Sequence, residues 1–276
     1  MPFAGIDIGS TMTKVIVMDQ QEKILASIIG PTGAEHRHLA LKVMDEALQK
    51  AGLTLEEIDF IVATGYGRIS VPFADKQITE ITCHARGIRS LFPAARIIID
   101  IGGQDSKGIK LDSDGKVANF VMNDKCAAGT GRFLEVIAET LGIKLDQLGD
   151  ISLKAETFVK ISNTCTVFAE HEVTSRLSEG ASISEIVAGL HESIAGRIVN
   201  MVRQLGIEKD VVVTGGGAKN IGLVRAIENK VGFLALVPPE PLLTGALGAA
   251  LIGHDFVRRG LRPDHERRRD GVTFFQ

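Results

Sequence analysis

The sequence predicts an α/β protein built as two domains. Short apolar strands alternate with stretches of helical periodicity, several strands end in a glycine turn, and the strand–turn–strand opening of the chain starts again near its middle. At roughly 150 residues per domain, 276 residues supply two cores.

Phe3 to Ile8 is apolar around one Asp, Gly9-Ser10-Thr11 turns the chain, and Lys14 to Met18 resumes as a β-branched run. A polar, Gly-containing connection holding His36 and His38 leads to helical spacing at Leu39, Val43 and Leu48. Ile58 to Ala63 is a further strand, closed by Thr64-Gly65-Tyr66-Gly67, and residues 76–92 read as a helix. The pattern then restarts: a strand over Arg96–Ile101 ends in Gly102-Gly103, Lys107–Leu111 returns, Asp112–Gly115 turns, and Val117–Met122 is a third strand. The segments GIDIGSTMTKVIV and IIDIGGQDSKGIK resemble each other with Asp100 matching Asp7, which predicts a duplicated hairpin, one per domain.

The clearest helix runs over 183–205, where Ile183, Ile186, Leu190, Ile194, Ile198, Val202 and Leu205 recur at helical spacing. Ser182 with Glu185 makes a capping box, and Gly206 marks the end. Val211–Val213 is a strand running into Thr214-Gly215-Gly216-Gly217, and Thr244–Ile252 is a helix of small residues able to pack closely. The Arg-rich stretch beyond Arg258 reads as a solvated tail. The expected boundaries are 1–94 with 243–262 for the first domain, 95–242 for the second and 263–276 for the basic tail.

Composition excludes several functions. Against 34 Asp and Glu stand 31 Lys and Arg, a net charge of −3, so no basic field draws the chain to nucleic acid. Aromatics make up 5% and Trp is absent, which argues against stacking platforms for single strands. No apolar run reaches about 18 residues, so no membrane span is expected. The opening MPFAGIDIGS has no charged n-region for a signal peptide. Three cysteines make no disulfide framework, and a cytoplasmic protein with buried or chemical cysteines is expected.

Three glycine turns follow strands. Backbone N–H groups in such turns form concave anion sites, and glycine lets a phosphate approach without a Cβ clash. Gly9, Gly102, Gly103, Gly215, Gly216, Gly217 and Ala218 are therefore candidate nucleotide contacts, with Asn220 and Gly245 beside them. Asp7 and Asp100 precede the first two turns, where a carboxylate suits Mg²⁺, held directly or through water. Ser10, Thr11 and Thr13 supply hydroxyls, Lys14 a charge for a β- or γ-phosphate, and Gln104 a group to orient attacking water or an ordinary turn residue. Neither a P-loop pattern nor G-x-G-x-x-G after a strand is present. In this order the turns resemble the phosphate-1, phosphate-2 and adenosine motifs of the actin/sugar-kinase/Hsp70 ATPase superfamily. That resemblance implies two ribonuclease-H-like domains with an interdomain cleft for ATP and Mg²⁺.

Cys126, in Asn123-Asp124-Lys125-Cys126-Ala127-Ala128-Gly129-Thr130-Gly131, and Cys165, in Ser162-Asn163-Thr164-Cys165-Thr166, both precede helical patterns. A helix N-terminus stabilises a thiolate. Two thiolates per chain cannot complete a four-Cys cluster, whereas a twofold dimer can; two small buried hydrophobes remain the alternative. Cys83, within a helical pattern, reads as core.

Together GIDIGSTMTK, ATGYGR, ADKQITEITCHARG, IDIGGQDSK, MNDKCAAGTGRFLEV, SNTCTVFAEHEV and TGALGAAL resemble the BadF/BadG/BcrA/BcrD ATPase family over about residues 3–252, most of all its (R)-2-hydroxyacyl-CoA dehydratase activators (component A). The resemblance implies a homodimer with one [4Fe–4S] cluster held by Cys126 and Cys165 of both chains, and ATP with Mg²⁺ in each. It further implies a reduced ferredoxin or flavodoxin as electron donor. A 2-hydroxyacyl-CoA dehydratase (component D) would receive one low-potential electron coupled to ATP hydrolysis and form a ketyl radical on the thioester. Asn163 and His171 depart from the commoner Ser at their positions, and Ala218 follows three glycines where many members carry a bulkier third residue. Three alternatives stand beside this expectation: the ATPase subunit of a benzoyl-CoA reductase-type enzyme, a small-molecule kinase of the same fold using Asp105 or Asp124 as base, and a redox sensor.

Overall fold

The computed structural model describes residues 1–261 apart from 125 and 163–165. Cys165, with Asn163 before it, and the basic tail lie outside the described residues. The chain divides into two compact units, the first made of 1–94, 113–117 and the chain from Leu242, the second of 95–112 and 118–241.

In the first unit β1 (Phe3–Ile8) pairs antiparallel with β2 (Met12–Met18) and parallel with β4 (Phe60–Thr64). With β3 (Ile24–Pro31) and β5 (Lys76–Gln77) the sheet order is β3-β2-β1-β4-β5. Every residue of β1 and β4 is buried, the mark of central strands covered on both faces. Helix α1 (His36–Ala51) lays Ala40, Met44 and Ala47 against Ile6, Ile8 and Val15. On Phe3, Ile16, Phe60 and Val62 sit Ala246, Ala249 and Ala250 of the last helix, α8 (Thr244–Arg258), with Cys83 of α2 (Glu80–Leu91).

The small residues of α8 have a packing reason. A Cβ on Gly248 would overlap the carbonyl of Cys83, so α8 and α2 touch backbone to backbone. Burial pushes the Cys83 thiol up to about 12, and it stays a protonated core group, as its helical setting predicted. The structure adds β3 where the sequence suggested only a connection. It is an edge strand with Ala26 its one buried residue and Ile24 and Leu25 exposed, so no period-2 burial shows in its sequence. Helix α1 starts earlier than its apolar spacing, which puts His36 and His38 on its first turn.

In the second unit β6 (Ile97–Ile101), β7 (Ser106–Leu111), β8 (Val117–Asn123) and β9 (Val211–Thr214) form a sheet of order β8-β7-β6-β9. This repeats β3-β2-β1-β4, with β6 antiparallel to β7 and parallel to β9. Helices α3 (Gly131–Thr140), α4 (Leu148–Ser152), α5 (Thr166–Ser178), α6 (Ile183–Val202) and α7 (Ile221–Val231) follow the hairpin. The capping box of Ser182 and Glu185 opens α6, whose Ile186, Leu190, Ile194, Ile198 and Val202 enter one core with Ile97, Ile99, Val211 and Val213. Each such side chain, fully buried, stabilises by about 1.5–3 kcal/mol. Among the described residues no helix is long and apolar enough to cross a membrane.

Candidate functional site

The duplicated hairpin carries the same charge pair twice. In the β1–β2 ladder Asp7 faces Lys14, and Lys14 Nζ lies 3.0 Å from Asp7 Oδ2. In the β6–β7 ladder Asp100 faces Lys107, whose Nζ is 3.5 Å from Asp100 Oδ2 and 2.6 Å from Asp105 Oδ2. All five side chains are buried. Lys14, expected to reach a phosphate, thus already balances Asp7, while its ammonium stands beside Gly9, where a Cβ would come within 3.0 Å. Asp105, the candidate base of the kinase alternative, is held by Lys107; Asp124 is exposed.

Each first turn is closed by its backbone. The Gly9 N–H donates to Met12 O at 3.1 Å and the Gly102 N–H to Asp105 O at 2.9 Å. Ser10 and Thr11 sit half-buried on the first turn, and Gln104 is exposed on the second. Thr13 is fully buried with its hydroxyl bonded to Thr32 Oγ1 at 2.8 Å, so it supports the ladder and offers no free hydroxyl to a ligand.

The parallel pairings repeat as well. Thr64 lies opposite Asp7, Thr214 opposite Asp100. The next residues, Gly65 and Gly215, have φ of 83° and 80°, where a side chain is strained. A Cβ on Gly215 would stand 2.6 Å from Asp100 Oδ1, and one on Gly65 would overlap Asp7 Oδ1. Thr64-Gly65-Tyr66-Gly67 is therefore the structural counterpart of Thr214-Gly215-Gly216-Gly217. In both, the two outer glycines are buried and the residue between them is exposed. Arg68 donates to Gly65 O at 2.9 Å and pairs with Glu80, which stabilises this turn.

Thr244 and Gly245, at the start of α8, come to the first carboxylate. A Cβ on Gly245 would lie 2.8 Å from Asp7 Oδ2 and 3.4 Å from His84 Nε2. His84 Nδ1 is 2.9 Å from Thr244 Oγ1, so α2 fixes the start of α8 beside Asp7. Carboxylate oxygens are donors suited to Mg²⁺, and Gly65, Gly215 and Gly245 lie so close to them that any Cβ would clash.

Asn220 serves the fold on both ends of its amide. Its Oδ1 accepts the Leu223 N–H at 3.0 Å, capping α7, and its Nδ2 is 2.9 Å from His191 Nε2. Ser152 gives its one proton to Gly149 O at 2.8 Å, so His191 Nδ1–H donates to Ser152 Oγ at 2.9 Å and Nε2 accepts from Asn220. Burial pulls the His191 pKa down to about 4, which keeps the ring neutral.

Cys126 is half-buried in the loop between β8 and α3. Side chains hold each carbonyl of this loop from Cys126 to Gly129. Asn123 Nδ2 donates to Cys126 O at 3.0 Å and Ala128 O at 3.3 Å, Thr130 Oγ1 to Ala127 O at 2.7 Å, and Ser106 Oγ to Gly129 O. The expectation that helix amides face the sulfur is corrected. Helix α3 begins at Gly131, and the N–H groups of Gly131 and Arg132 donate at 2.8 Å each to Gly102 O and Gly103 O. The positive group at the sulfur is Arg197, with Nη1 3.3 Å from Sγ. A half-buried thiol in a loop of small residues, beside an N–H donor, suits an iron–sulfur ligand; among the described residues no group of three or more His, Cys, Asp or Glu could hold a metal ion. Glu172 accepts the Ser162 N–H at 2.7 Å and so holds the approach to α5, whereas Glu170 and His171 are exposed.

Sequence reasoning missed Lys107, His84, His191 and Arg197. The repeat signalled Lys107, which stands seven residues after Asp100 as Lys14 does after Asp7. Nothing local marks the other three.

A model of the BadF/BadG/BcrA/BcrD ATPase family matches residues 4–253. The chain is 49% identical over 253 residues to a 2-hydroxyisocaproyl-CoA dehydratase activator of Clostridioides difficile, covering 91% of this chain and 94% of that protein. It is 48% identical over 255 residues to an activator of lactoyl-CoA dehydratase of Anaerotignum propionicum, covering 92% of this chain and 98% of that one. A solved structure, the activator of the 2-hydroxyisocaproyl-CoA dehydratase from Clostridium difficile with bound ADPNP, is 45% identical with a TM-score of 0.89 over 100% of both chains. The chain belongs to the BadF/BadG/BcrA/BcrD ATPase family and has the actin/sugar-kinase/Hsp70-like ATPase fold.

Proposed function

We propose that this ATPase activates a 2-hydroxyacyl-CoA dehydratase by delivering one low-potential electron, with ATP hydrolysis coupled to the transfer. The observation that carries the coupling is the pair of hydrogen bonds from Gly131 and Arg132 to the carbonyls of Gly102 and Gly103. They tie the Gly102-Gly103 turn to the start of α3, directly after the Cys126 loop. The relatives named as dehydratase activators support the reaction class.

In this reading Asp7 and Asp100 present oxygen to Mg²⁺, and Gly9, Ser10, Thr11, Gly102 and Gly103 line the phosphates. Lys14 and Lys107 pair with the two buried carboxylates and orient them. Gly215, Gly216, Gly217 and Ala218 leave room for the nucleoside, Gly245 keeps α8 clear of the Asp7 carboxylate, and Gln104 orients the attacking water. Cys126 and Cys165 of two chains supply four thiolates for a [4Fe–4S] cluster, which, when bound, accepts and gives up one electron. A reduced ferredoxin or flavodoxin is the proposed donor. Asn123, Ser106 and Thr130 hold the Cys126 loop so that a change at Gly102-Gly103 reaches the sulfur.

Cys126→Ser protein, purified without oxygen, tests the proposal. Loss of dehydratase activation with ATP binding retained is expected. A Cys126→Ser dimer that keeps its full iron content and activates the dehydratase refutes it.

A further inference from the structure

We infer that Arg197 is the residue that positions the Cys126 sulfur and, by donating an N–H to it, raises the reduction potential of the cluster; this rests on the cluster reading above. Arg197 Nη1 lies 3.3 Å from Cys126 Sγ. Its stem crosses Gly129, where a Cβ would be 3.3 Å from Cδ and 3.6 Å from Cγ, and the backbone there has φ of 98°. Gly129 thus turns the loop and gives the arginine its passage.

The guanidinium is placed by a rigid element. Arg197 is flanked on α6 by Ile194 and Ile198, both in the core. One side of the helix is pinned by the Ser152–His191–Asn220 chain, another by Glu192, whose carboxylate is 2.6 Å from Lys230 Nζ of α7. The anchor at Asn220 stands directly after the Gly215–Lys219 turn, so one helix carries both the residue touching the sulfur and the residue bracing the glycine turn of β9.

Reduction adds a negative charge to a cluster already held by thiolates. An N–H donor and a positive guanidinium at a ligating sulfur stabilise the reduced form more than the oxidised one, and so make the potential less negative. A chain without this donor holds its electron less well.

The test is a redox titration followed by electron paramagnetic resonance on dimers purified without oxygen: wild type, Arg197→Gln and Arg197→Lys, each assayed for iron. Arg197→Gln is expected to keep its iron and titrate at a more negative potential, with Arg197→Lys between it and wild type. Equal iron and equal potentials in all three overturn the inference and leave the proposed function standing. A wild-type dimer without iron overturns both. If Arg197→Gln loses its iron, Arg197→Lys decides alone: a negative shift supports the inference and a wild-type potential overturns it.

Discussion

Acidification should loosen the second unit through a single buried ring. His191 is 1% exposed, neutral, and committed at both nitrogens, to Ser152 and Asn220. Its pKa falls from 6.5 to about 4 through burial, so between those values the unfolded chain binds a proton that the folded chain refuses. Stability is therefore full above about pH 6.5 and is lost as pH falls toward 4, by about 3 kcal/mol at about 1.4 kcal/mol per pH unit. Protonation of Nε2 would also turn the acceptor of Asn220 into a donor. The assay is urea unfolding at pH 7, 6, 5 and 4 for wild type and His191→Gln, whose difference cancels the carboxylates common to both. The wild-type advantage at pH 7 should shrink by about 3 kcal/mol by pH 4. Two stability curves that run parallel from pH 7 to pH 4 would falsify the assignment of a neutral, doubly bonded His191.

Three further perturbations follow from the geometry. Gly215→Ala puts a Cβ 2.6 Å from Asp100 Oδ1 at a φ of 80°, so ATP affinity measured by calorimetry should drop at least about 10-fold and stability by roughly 1–2 kcal/mol; wild-type affinity would remove Gly215 from the nucleotide site. Lys107→Met takes the ammonium from Asp100 and Asp105, both buried, and should cost about 3–5 kcal/mol in chemical denaturation, with a loss under about 1 kcal/mol contradicting the pairing. Asn123→Ala frees the carbonyls of Cys126 and Ala128, and iron retention on dilution should fall while ATP binding persists; unchanged retention would show that the loop holds its shape without Asn123.

Much of the fold was legible because strand runs such as Ile97–Ile101, apolar but for Asp100, and Val211–Thr214, apolar up to its last residue, run into glycine turns. The capping box at Ser182 and the small residues of α8 likewise announce their roles locally. The edge strand β3 escaped because its burial follows no period. At the site, carboxylates and glycines were legible because turn chemistry is local. Charge partners across a ladder were only half legible: the seven-residue spacing from Asp7 to Lys14 recurs at Asp100 and Lys107, but its meaning comes from strand register. Contacts made by distant helices were not legible. Arg197 reaches Cys126 across 71 positions and His84 reaches Thr244 across 160, and no sequence pattern encodes either meeting. The N–H groups of Gly131 and Arg132, at the start of α3, were not legible as spoken for, since they donate to a turn of another hairpin.

The most direct test of the central claim is iron and acid-labile sulfide in protein purified without oxygen, measured per pair of chains. The account predicts about four of each, lost together with the dimer on exposure to air. Protein that binds ATP but carries neither iron nor sulfide would contradict it and return Cys126 to the packing of its loop.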